Sequence, residues 1–365
     1  YAGRFVWLSI NTEDAKNAAF LKRYPIPALP TLLVLDAKRD TVTSRYVGGA
    51  TVPQLQKLLT DAEKTYRAKS QSAPDMLLAK ADRLASDGKN AEAAKAYDDA
   101  IAAAPKSWKK LGRTAESLLF ALSMAGDNER CASRALALYP RVKGSSSAAN
   151  VSSTGLSCAV SLEKEHAKRG AWMEKLESAT RETFDDKKLV MSDDDRSGLY
   201  MALIDARDAA GEDLEVVKLK HEWSSFLEGA AARAKTAEQR AVYDSHRLSA
   251  YLDLGTPEKA IPMLQQSERD FPDDYNPPAR LAVAYHALKQ YDEALAASDR
   301  ALAKVYGPRK ITVLTARADI YAAKGDAKAA KEAIQQAIDA AKALPEGQRS
   351  ERRIASLEKR LASMQ

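Results

Sequence analysis

The chain has 365 residues, of which 45% are hydrophobic and 29% are charged, a composition typical of a globular protein rather than a disordered one. Its 16 Gly and 14 Pro are too few for the turns of a many-stranded protein, so the composition favours helices. The net charge of +6 arises from both signs mixed along the whole chain, which predicts no nucleic-acid partner, and no apolar run reaches the ~18 residues of a membrane span.

The first 68 residues mix strand and helix patterns. The continuous apolar run Phe-Val-Trp-Leu-Ser-Ile is typical of a strand buried on both faces, and a later stretch is amphipathic with leucines on one side. The predicted order of strand, helix, strand, strand and helix covers Phe5–Ile10, Asp14–Tyr24, Thr31–Leu35, Thr41–Val47 and Val52–Tyr66. Residues 69–75 are predicted to form a linker.

The proline-rich stretch Tyr-Pro-Ile-Pro-Ala-Leu-Pro-Thr at 24–31, followed by Leu32–Asp36 and Tyr46–Gly49, resembles the C-terminal half of a thioredoxin-fold domain. The resemblance implies a cis peptide bond at Pro30, in a loop that lies beside the family's active-site disulfide and holds extended substrates. The matching substrate-binding residues here would be Leu29, Pro30 and Thr31. The family's Cys-x-x-Cys, whose thiol pKa is lowered at a helix N-terminus, would precede Phe5 and is absent from this sequence.

The thioredoxin-like segment is therefore predicted to be an incomplete sheet. In that topology a strand is missing between Phe5–Ile10 and Thr31–Leu35, so their backbone groups would lack hydrogen-bond partners. Three outcomes are open: the missing residues belong to the natural protein, a second chain completes the sheet, or the segment rearranges. The first is favoured, because the chain begins with Tyr1, which indicates that a leader was removed or that the chain starts inside a longer product.

A repeat occupies the rest of the chain. Three tyrosines recur at intervals of 34 and 36 residues, each is followed nine residues later by an alanine, and these pairs are Tyr251/Ala260, Tyr285/Ala294 and Tyr321/Ala330. Two helices in about 34 residues, with small residues at fixed offsets and a closing Pro, resemble the tetratricopeptide repeat. An earlier unit matches through Leu84, Gly88 and Ala93, and another begins at Leu122 with a second helix predicted to be shortened by Pro140.

The predicted fold class is mostly α. It consists of a tetratricopeptide-like solenoid of about seven helical hairpins over residues 76–345, divergent over 141–235, with the partial α/β thioredoxin-like segment in front. In the divergent part the helical segments are about 148–168, 171–184, 194–210 and 212–233, with Ser192 as a helix N-cap. Residues 346–365 are predicted to form a polar capping helix.

The resemblance to tetratricopeptide proteins implies a superhelix whose concave face binds a peptide or protein, and it implies no chemistry. Some relatives hold a carboxylate with Lys, Asn and Arg, a set that is missing here although Arg280 matches one position, so we expect a flatter, partly apolar groove. The predicted groove residues are Val242, Ser245, Ser249, Asn276, Ala279, Arg280, Val283, His286, Thr312, Thr315 and Asp319.

Few side chains have the spacing of a reaction centre. Cys131 and Cys158 are 27 residues apart on neighbouring predicted helices, so a structural disulfide is possible, although two small buried side chains are favoured. The four histidines are scattered without a second ligand at metal-binding spacing. The sequence therefore predicts no catalytic residue, no metal site and no cofactor.

The first functional hypothesis is a protein-interaction scaffold that carries a thioredoxin-like segment without redox cysteines. The alternative is a thiol–disulfide oxidoreductase whose Cys-x-x-Cys lies upstream of residue 1, with the repeats recruiting its substrate. A third possibility is self-assembly, in which a neighbouring chain completes the open sheet. Proteins that join these two modules look bacterial and exported, which favours a periplasmic or secreted location.

Overall fold

The computed structural model describes residues 3–67 and 72–364. The residues outside these ranges include Tyr1, residues 69–71 of the predicted linker at 69–75 and the last residue of the predicted capping helix. The chain forms two compact units: residues 24–220, called the hairpin unit, and residues 1–23 with 221–365, called the strap unit.

The hairpin unit begins with a small sheet and one helix. Strand β1 (Thr31–Asp36) pairs antiparallel with β2 (Thr41–Val47), and α2 (Val52–Arg67) packs against both strands. The register places Thr31 opposite Val47, with an irregularity between Val34 and Leu35. These three elements confirm the sequence prediction for residues 31–67.

The predicted strand at Phe5–Ile10 is wrong. Those residues have no regular secondary structure, and Val6, Trp7 and Leu8 are 88%, 57% and 75% exposed. The physical reason is that an extended segment becomes a strand only when a neighbour accepts its backbone hydrogen bonds, and the sheet in the described residues has only two strands. The Leu29–Pro30 peptide bond is cis, but the thioredoxin-like arrangement as a whole is not confirmed.

Seven helices of the hairpin unit follow in helical hairpins, and an eighth begins at residue 213 and extends past the end of the unit at residue 220. The first helix of each hairpin belongs to what we call the inner row, and the second belongs to the outer row. The inner row comprises α3 (Ala73–Ser86), α5 (Leu111–Met124), α7 (Ser147–Val160) and α9 (Asp193–Ala210). The outer row comprises α4 (Asn90–Ala103), α6 (Asn128–Val142), α8 (Arg169–Asp185) and α10 (Asp213–Ala232). Within the inner row, α5 packs on α7 and α7 on α9.

Small residues set the distance between these helices. Ala93 and Ala100 on α4 are fully buried, as the repeat pattern requires. Gly155 on α7 is the extreme case, because a Cβ there would overlap the Cβ of Ala135 on α6. The close packing of α6 and α7 therefore depends on glycine at position 155.

The prediction that Pro140 shortens its helix is also wrong, because α6 continues to Val142. A proline in a helix removes one backbone N–H and crowds the preceding turn. Pro140 lies two residues before the helix ends, so only the last turn is affected. Buried Leu138, Tyr139 and Val142 hold that turn in place.

The four divergent segments and the Ser192 cap are confirmed. Helices α7 to α10 occupy them, although α7 ends at Val160 rather than near residue 168. The Ser192 hydroxyl accepts a hydrogen bond from the Asp195 backbone N–H at 3.0 Å, and Asp195 accepts one in return from the Ser192 N–H at 3.3 Å. This reciprocal pair is a capping box in which aspartate takes the usual glutamate position.

A disulfide joins Cys131 on α6 to Cys158 on α7, with the two Cα atoms 6.0 Å apart. Both residues are buried. The favoured sequence interpretation, two separate small side chains, is therefore wrong, and the structural disulfide is the correct alternative. The bond joins the second hairpin of the repeat array to the third.

We expect reduction of this bond, or the double substitution Cys131→Ala/Cys158→Ala, to lower the free energy of unfolding by about 3–4 kcal/mol, because the cross-link restricts a 27-residue loop in the unfolded chain. Guanidinium unfolding with and without reductant measures the difference. In the double-alanine variant the reductant should have no further effect. A reductant effect of equal size in that variant would contradict the assignment.

The strap unit contains the C-terminal repeats and the first helices of the chain. Its N-terminal part has a short 3₁₀ turn at Ala15–Asn17 and α1 (Ala18–Arg23), within the predicted helix at 14–24. A second 3₁₀ turn, Pro257–Lys259, precedes α13. The repeat helices are α11 (Ala237–Ala241), α12 (Asp244–Asp253), α13 (Ala260–Asp270), α14 (Asn276–Ala287), α15 (Tyr291–Leu302), α16 (Gly307–Lys324), α17 (Ala327–Lys342) and α18 (Glu351–Ser363).

The three repeat tyrosines pack as expected. Tyr251 is buried in a core cluster with Leu248, Leu264 and Leu281, and Tyr285 packs against the same cluster. Tyr321 packs against the next cluster, which includes Ile354 and Leu357 of α18. The predicted capping helix thus closes the last apolar face, as the end of a solenoid requires.

Residues 11–22, which we call the strap, lie against the starts of successive repeat helices. Asn11 donates to the Tyr306 hydroxyl at 2.6 Å. The carboxylate of Glu13 accepts a hydrogen bond from the Tyr275 hydroxyl at 2.9 Å and one from Arg309 Nε at 3.1 Å. The strap therefore contacts residues at the starts of both α14 and α16.

Two glycines permit the close approach of the strap. A Cβ at Gly307 would overlap the carbonyl oxygen of Glu13, and a Cβ at Gly347 would overlap that of Ala18. Near the same place Gln348 donates to the Thr12 carbonyl at 2.9 Å. The backbone of the strap is thus in direct contact with the backbone of the repeats.

Candidate functional site

Strand β2 lies on the inner row of the hairpin unit, where it contacts α3 and α5. In the ladder, Leu32 and Tyr46 are opposite each other, and the backbone groups of Tyr46 face β1. Because the direction of the backbone groups alternates along an antiparallel strand, those of the neighbouring Arg45 point away from β1. Two helix side chains bind them: Arg113 Nη1 donates to the Arg45 carbonyl at 2.9 Å, and the Arg45 N–H donates to Asp82 Oδ2 at 3.4 Å. Asp82 and Arg113 thus take the place of a neighbouring strand.

Asp82 and Arg113 are themselves a buried ion pair, with Arg113 Nη1 2.9 Å from Asp82 Oδ2. The Tyr97 hydroxyl donates to the other carboxylate oxygen at 2.8 Å. Asp82 and Tyr97 are completely buried, and burial together with the neighbouring Asp82 charge raises the pKa of Tyr97 well above its usual value. The phenol therefore remains a hydrogen-bond donor.

The side chain of Arg45 is held by packing rather than by an ion pair. It is 3% exposed, and its guanidinium lies 5.6 Å from the centre of the Phe120 ring on α5. Its Nε and Nη2 atoms are buried without a hydrogen-bond partner, and burial lowers the pKa of Arg45. Packing against Phe120 on α5 therefore fixes the position of the Arg45 side chain on the inner row.

The end of the strand reaches α9. The Gly49 N–H donates to Asp194 Oδ2 at 3.4 Å. Tyr46 lies between these points, and its burial, together with the nearby carboxylates of Glu116 and Asp195, raises the pKa of the tyrosine. The segment 45–49 thus runs across the inner row from α3 and α5 to α9.

Two carboxylates of this surface are poorly solvated. Burial raises the pKa of Glu116 to about 7, although hydrogen bonds from Ser147 and Asn150 and the charge of Arg113 act in the opposite direction. Burial also raises the pKa of Asp195, which accepts a hydrogen bond from Asn150 Nδ2 at 3.0 Å. Near neutral pH the protonation of Glu116 therefore changes the charge beneath the strand.

Replacing Arg113 with methionine should lower the free energy of unfolding by about 3–5 kcal/mol, because it leaves a buried carboxylate without its partner. The matched control is Arg130→Met, whose ion pair with Asp98 at 3.0 Å is partly exposed and should contribute less than about 1 kcal/mol. Urea unfolding measures both. If the two variants lose equal stability, the Asp82–Arg113 pair does not have the role assigned to it; partial recovery in Asp82→Asn/Arg113→Met would support that role.

The stability of the chain should fall as pH rises from about 4.5 to about 7, because folded Glu116 keeps its proton over that interval and the unfolded chain does not. Glu116→Gln removes this contribution. The variant should match the parent protein below pH 4.5 and exceed it at pH 8 by on the order of 1–3 kcal/mol. Unfolding at a series of pH values checks this, with Glu163→Gln on an exposed turn as the control. An unchanged slope in Glu116→Gln would contradict the assignment.

The groove predicted from the sequence belongs to helices α11, α12, α14 and α16. We call these four helices the inner row of the strap unit. Val242 is 71% exposed, whereas Ala279 and Val283 pack partly into the apolar core. Thr312 and Asp319 already have partners on α18, since they accept hydrogen bonds from Arg353 at 2.8 Å and from Arg360 at 2.5 Å. The full set of predicted groove residues, Val242, Ser245, Ser249, Asn276, Ala279, Arg280, Val283, His286, Thr312, Thr315 and Asp319, stays a prediction.

A buried carboxylate in this region was missed by the sequence analysis. Asp244 on α12 is 1% exposed and accepts a hydrogen bond from the Ser267 hydroxyl at 2.6 Å. Burial raises its pKa, while the charges of Arg280, Arg247 and Arg240 lower it. The signal was an aspartate on the apolar side of a helix, four residues before buried Leu248. Arg280, singled out from the sequence, thus lies close enough to Asp244 to influence its charge.

The thioredoxin-like loop residues do not form part of a redox centre in the described chain. Leu29 is 58% exposed, and the Thr31 hydroxyl donates to the Ala28 carbonyl at 2.7 Å. Both cysteines of the chain are in the Cys131–Cys158 disulfide. Over residues 3–67 and 72–364 no cluster of three or more His, Cys, Asp or Glu could hold a metal ion. No helix in the same ranges combines the length and the apolar character needed to cross a membrane.

The architecture is that of an α-helical repeat protein. Residues 275–343 match the family model described as a tetratricopeptide repeat. Among curated proteins, none matches the chain.

The solved structures that the chain matches share little sequence with it. A tetratricopeptide repeat protein from Parabacteroides merdae is 10% identical, with a TM-score of 0.49 and coverage of 80% of this chain and all of that one. Acl4, an assembly chaperone of RpL4, is 14% identical, with a TM-score of 0.38 and coverage of 80% and 97%. The TPR2AB domain of yeast Sti1 in complex with pHSP90 is 16% identical, with a TM-score of 0.29 and coverage of 80% and 99%.

Proposed function

We propose that this chain is a protein-interaction scaffold whose inner-row helices bind extended segments of polypeptide. The single observation that supports this is the position of β2. The strand lies against helices α3 and α5, and Gly49, two residues beyond its end, reaches α9; Asp82, Arg113 and Asp194 bind the backbone of this segment rather than its side chains. Backbone recognition of this kind suits peptides of varied sequence.

In the hairpin unit this surface is already occupied by the chain's own strand. The partner site we propose is therefore the inner row of the strap unit, with Val242, Ser249 and Arg280 among its contacts. Val242 offers exposed apolar area, and Arg280 adds positive charge near α12. The partner would be an extended or helical peptide segment with an apolar residue and an acidic group.

The test places a photo-crosslinking residue at Val242 or at Ser249, with the exposed Gln336 on α17 as the control position. We expect protein adducts from the first two positions and not from the third. With the crosslinker at Ser249, the substitution Val242→Asp at an exposed position should abolish the adducts while the far-ultraviolet circular dichroism remains that of the parent. Equal adducts at all three positions, or none at 242 and 249, would show that the inner row is not the binding surface.

Thiol–disulfide exchange has no support in this chain. The family model that matches residues 275–343 describes a tetratricopeptide repeat. The two cysteines are buried and bonded to each other, so neither offers the exposed thiolate that exchange requires. The binding function is for this reason preferred over the redox alternative.

The disulfide supports a proposal about location. Disulfides persist in oxidising compartments and are rare in the cytosol, so the Cys131–Cys158 bond favours a periplasmic or secreted protein. Alkylation of the protein in intact cells, followed by mass spectrometry, tests this. Both cysteines should be labelled only after reduction and denaturation; labelling of denatured protein without reductant would contradict the proposal.

A further inference from the structure

The outer edge of β1 has no strand partner among the described residues. The Gly48 N–H donates to the Pro30 carbonyl at 2.9 Å, and Leu32 is paired with Tyr46, so Pro30 and Leu32 face β2. Because the direction alternates along an antiparallel strand, the backbone groups of Thr31 and Leu33 point to the opposite edge. This edge can therefore accept hydrogen bonds from an added strand.

The sequence of β1 does little to protect this edge. Thr-Leu-Leu-Val-Leu at 31–35 contains no charged residue and no proline, the residues that exposed edges of natural sheets commonly carry, and they occur only at the ends, as Pro30 before the strand and Asp36 as its last residue. Within the strand the protective feature is the irregularity between Val34 and Leu35. Leu29 and Leu35 beside the edge are 58% and 37% exposed. Such an edge is typical of a strand that is covered in the working protein.

The same chain has a second element of strand character that lies outside the sheet. Phe5–Ile10 combines β-branched, aromatic and aliphatic residues, and three consecutive large side chains in it are mostly exposed. The adjoining strap is fixed to the repeats from Asn11 onwards. Single exposed apolar residues are ordinary, but a six-residue run of this composition is the kind of segment that adds to an open edge.

We propose that Phe5–Ile10 of one copy of this chain adds to the outer edge of β1 in a second copy, and that the exchange is reciprocal. Both elements are six residues long. A two-fold exchange covers both open edges and leaves none for further growth, so the assembly closes as a dimer. This inference concerns assembly and goes beyond the proposed peptide-binding function.

The area available matches what a stable dimer needs. With exposed fractions of 88%, 57% and 75% for Val6, Trp7 and Leu8, and about 150–250 Å² for a large side chain, each segment offers roughly 400 Å². If all of this area and an equal area of each edge are buried, the two copies bury roughly 1,600 Å² in total, which is the upper limit of the interface and the size of a standard specific one.

The test measures mass by size-exclusion chromatography with light scattering between 1 and 100 µM protein. The parent chain should give a dimer of about 80 kDa, twice 39.8 kDa. Val6→Asp/Leu8→Asp should raise the dissociation constant of the dimer at least 100-fold, because both side chains lie in the exchanged strand. The matched control Val190→Asp/Leu214→Asp changes side chains that are 71% and 90% exposed elsewhere and should remain a dimer.

A second variant tests the edge itself. Leu33→Pro removes an N–H that points away from β2, so the hairpin keeps its own ladder while the added strand loses a donor. Alone, this variant should be monomeric. Mixed with Val6→Asp/Leu8→Asp it should form a heterodimer, because its intact Phe5–Ile10 can bind the intact edge of the other chain.

Three results would overturn the proposal. One is a parent chain that is monomeric at 100 µM, and another is dimerisation of Val6→Asp/Leu8→Asp with parental affinity. The third comes from Trp7→Cys/Leu33→Cys: an oxidised bond within one chain shows that the segment covers its own edge, whereas a bond between chains supports the exchange. Because Val6 and Leu8 are exposed, the experiment with Val6→Asp/Leu8→Asp remains informative even if Leu33→Pro fails to fold.

Discussion

The hairpin unit depends on one buried charge, the carboxylate of Asp82. An isolated carboxylate inside a protein is very costly, so its partners must be in place in the folded chain. Arg113 supplies the opposite charge, and Tyr97 donates to the remaining oxygen. The same two charged side chains also bind the backbone of Arg45. The position of β2 on the inner row is therefore coupled to the ion pair and hydrogen bonds that the buried Asp82 carboxylate makes between the first two hairpins.

The helices were predictable because their determinants are local. Spacings of three, four and seven residues in Leu78, Ala81 and Ala85 define a buried face whatever lies opposite it. The cap at Ser192 likewise involves only the next three residues. For the same reason the hairpin of residues 31–47 was predicted correctly, since its two strands are close in sequence.

The site was not predictable from the sequence because its partners are far apart. Asp82 was visible as an acid on an apolar helix face, but nothing near it in sequence indicates that Arg113 or the backbone of Arg45 would bind it. Phe5–Ile10 has the sequence pattern of a strand and forms none. Such a pattern indicates only that a segment is able to form a strand, whereas the strand itself requires the edge of another strand to pair with. Pro140 was misread because a proline near a helix C-terminus disturbs only the last turn.

The sequence separations of these contacts have a consequence for how the chain acquires its structure. Helical repeats normally fold from neighbouring contacts, which makes them fast. Here Gly49 must meet Asp194, 145 residues later, and Thr12 must meet Gln348, 336 residues later. During synthesis on the ribosome the strap and Gly49 emerge early, and their partners Gln348 and Asp194 are synthesised much later. Completion of the fold is thus delayed until the final helices leave the ribosome, and the apolar N-terminal segment is exposed throughout that interval.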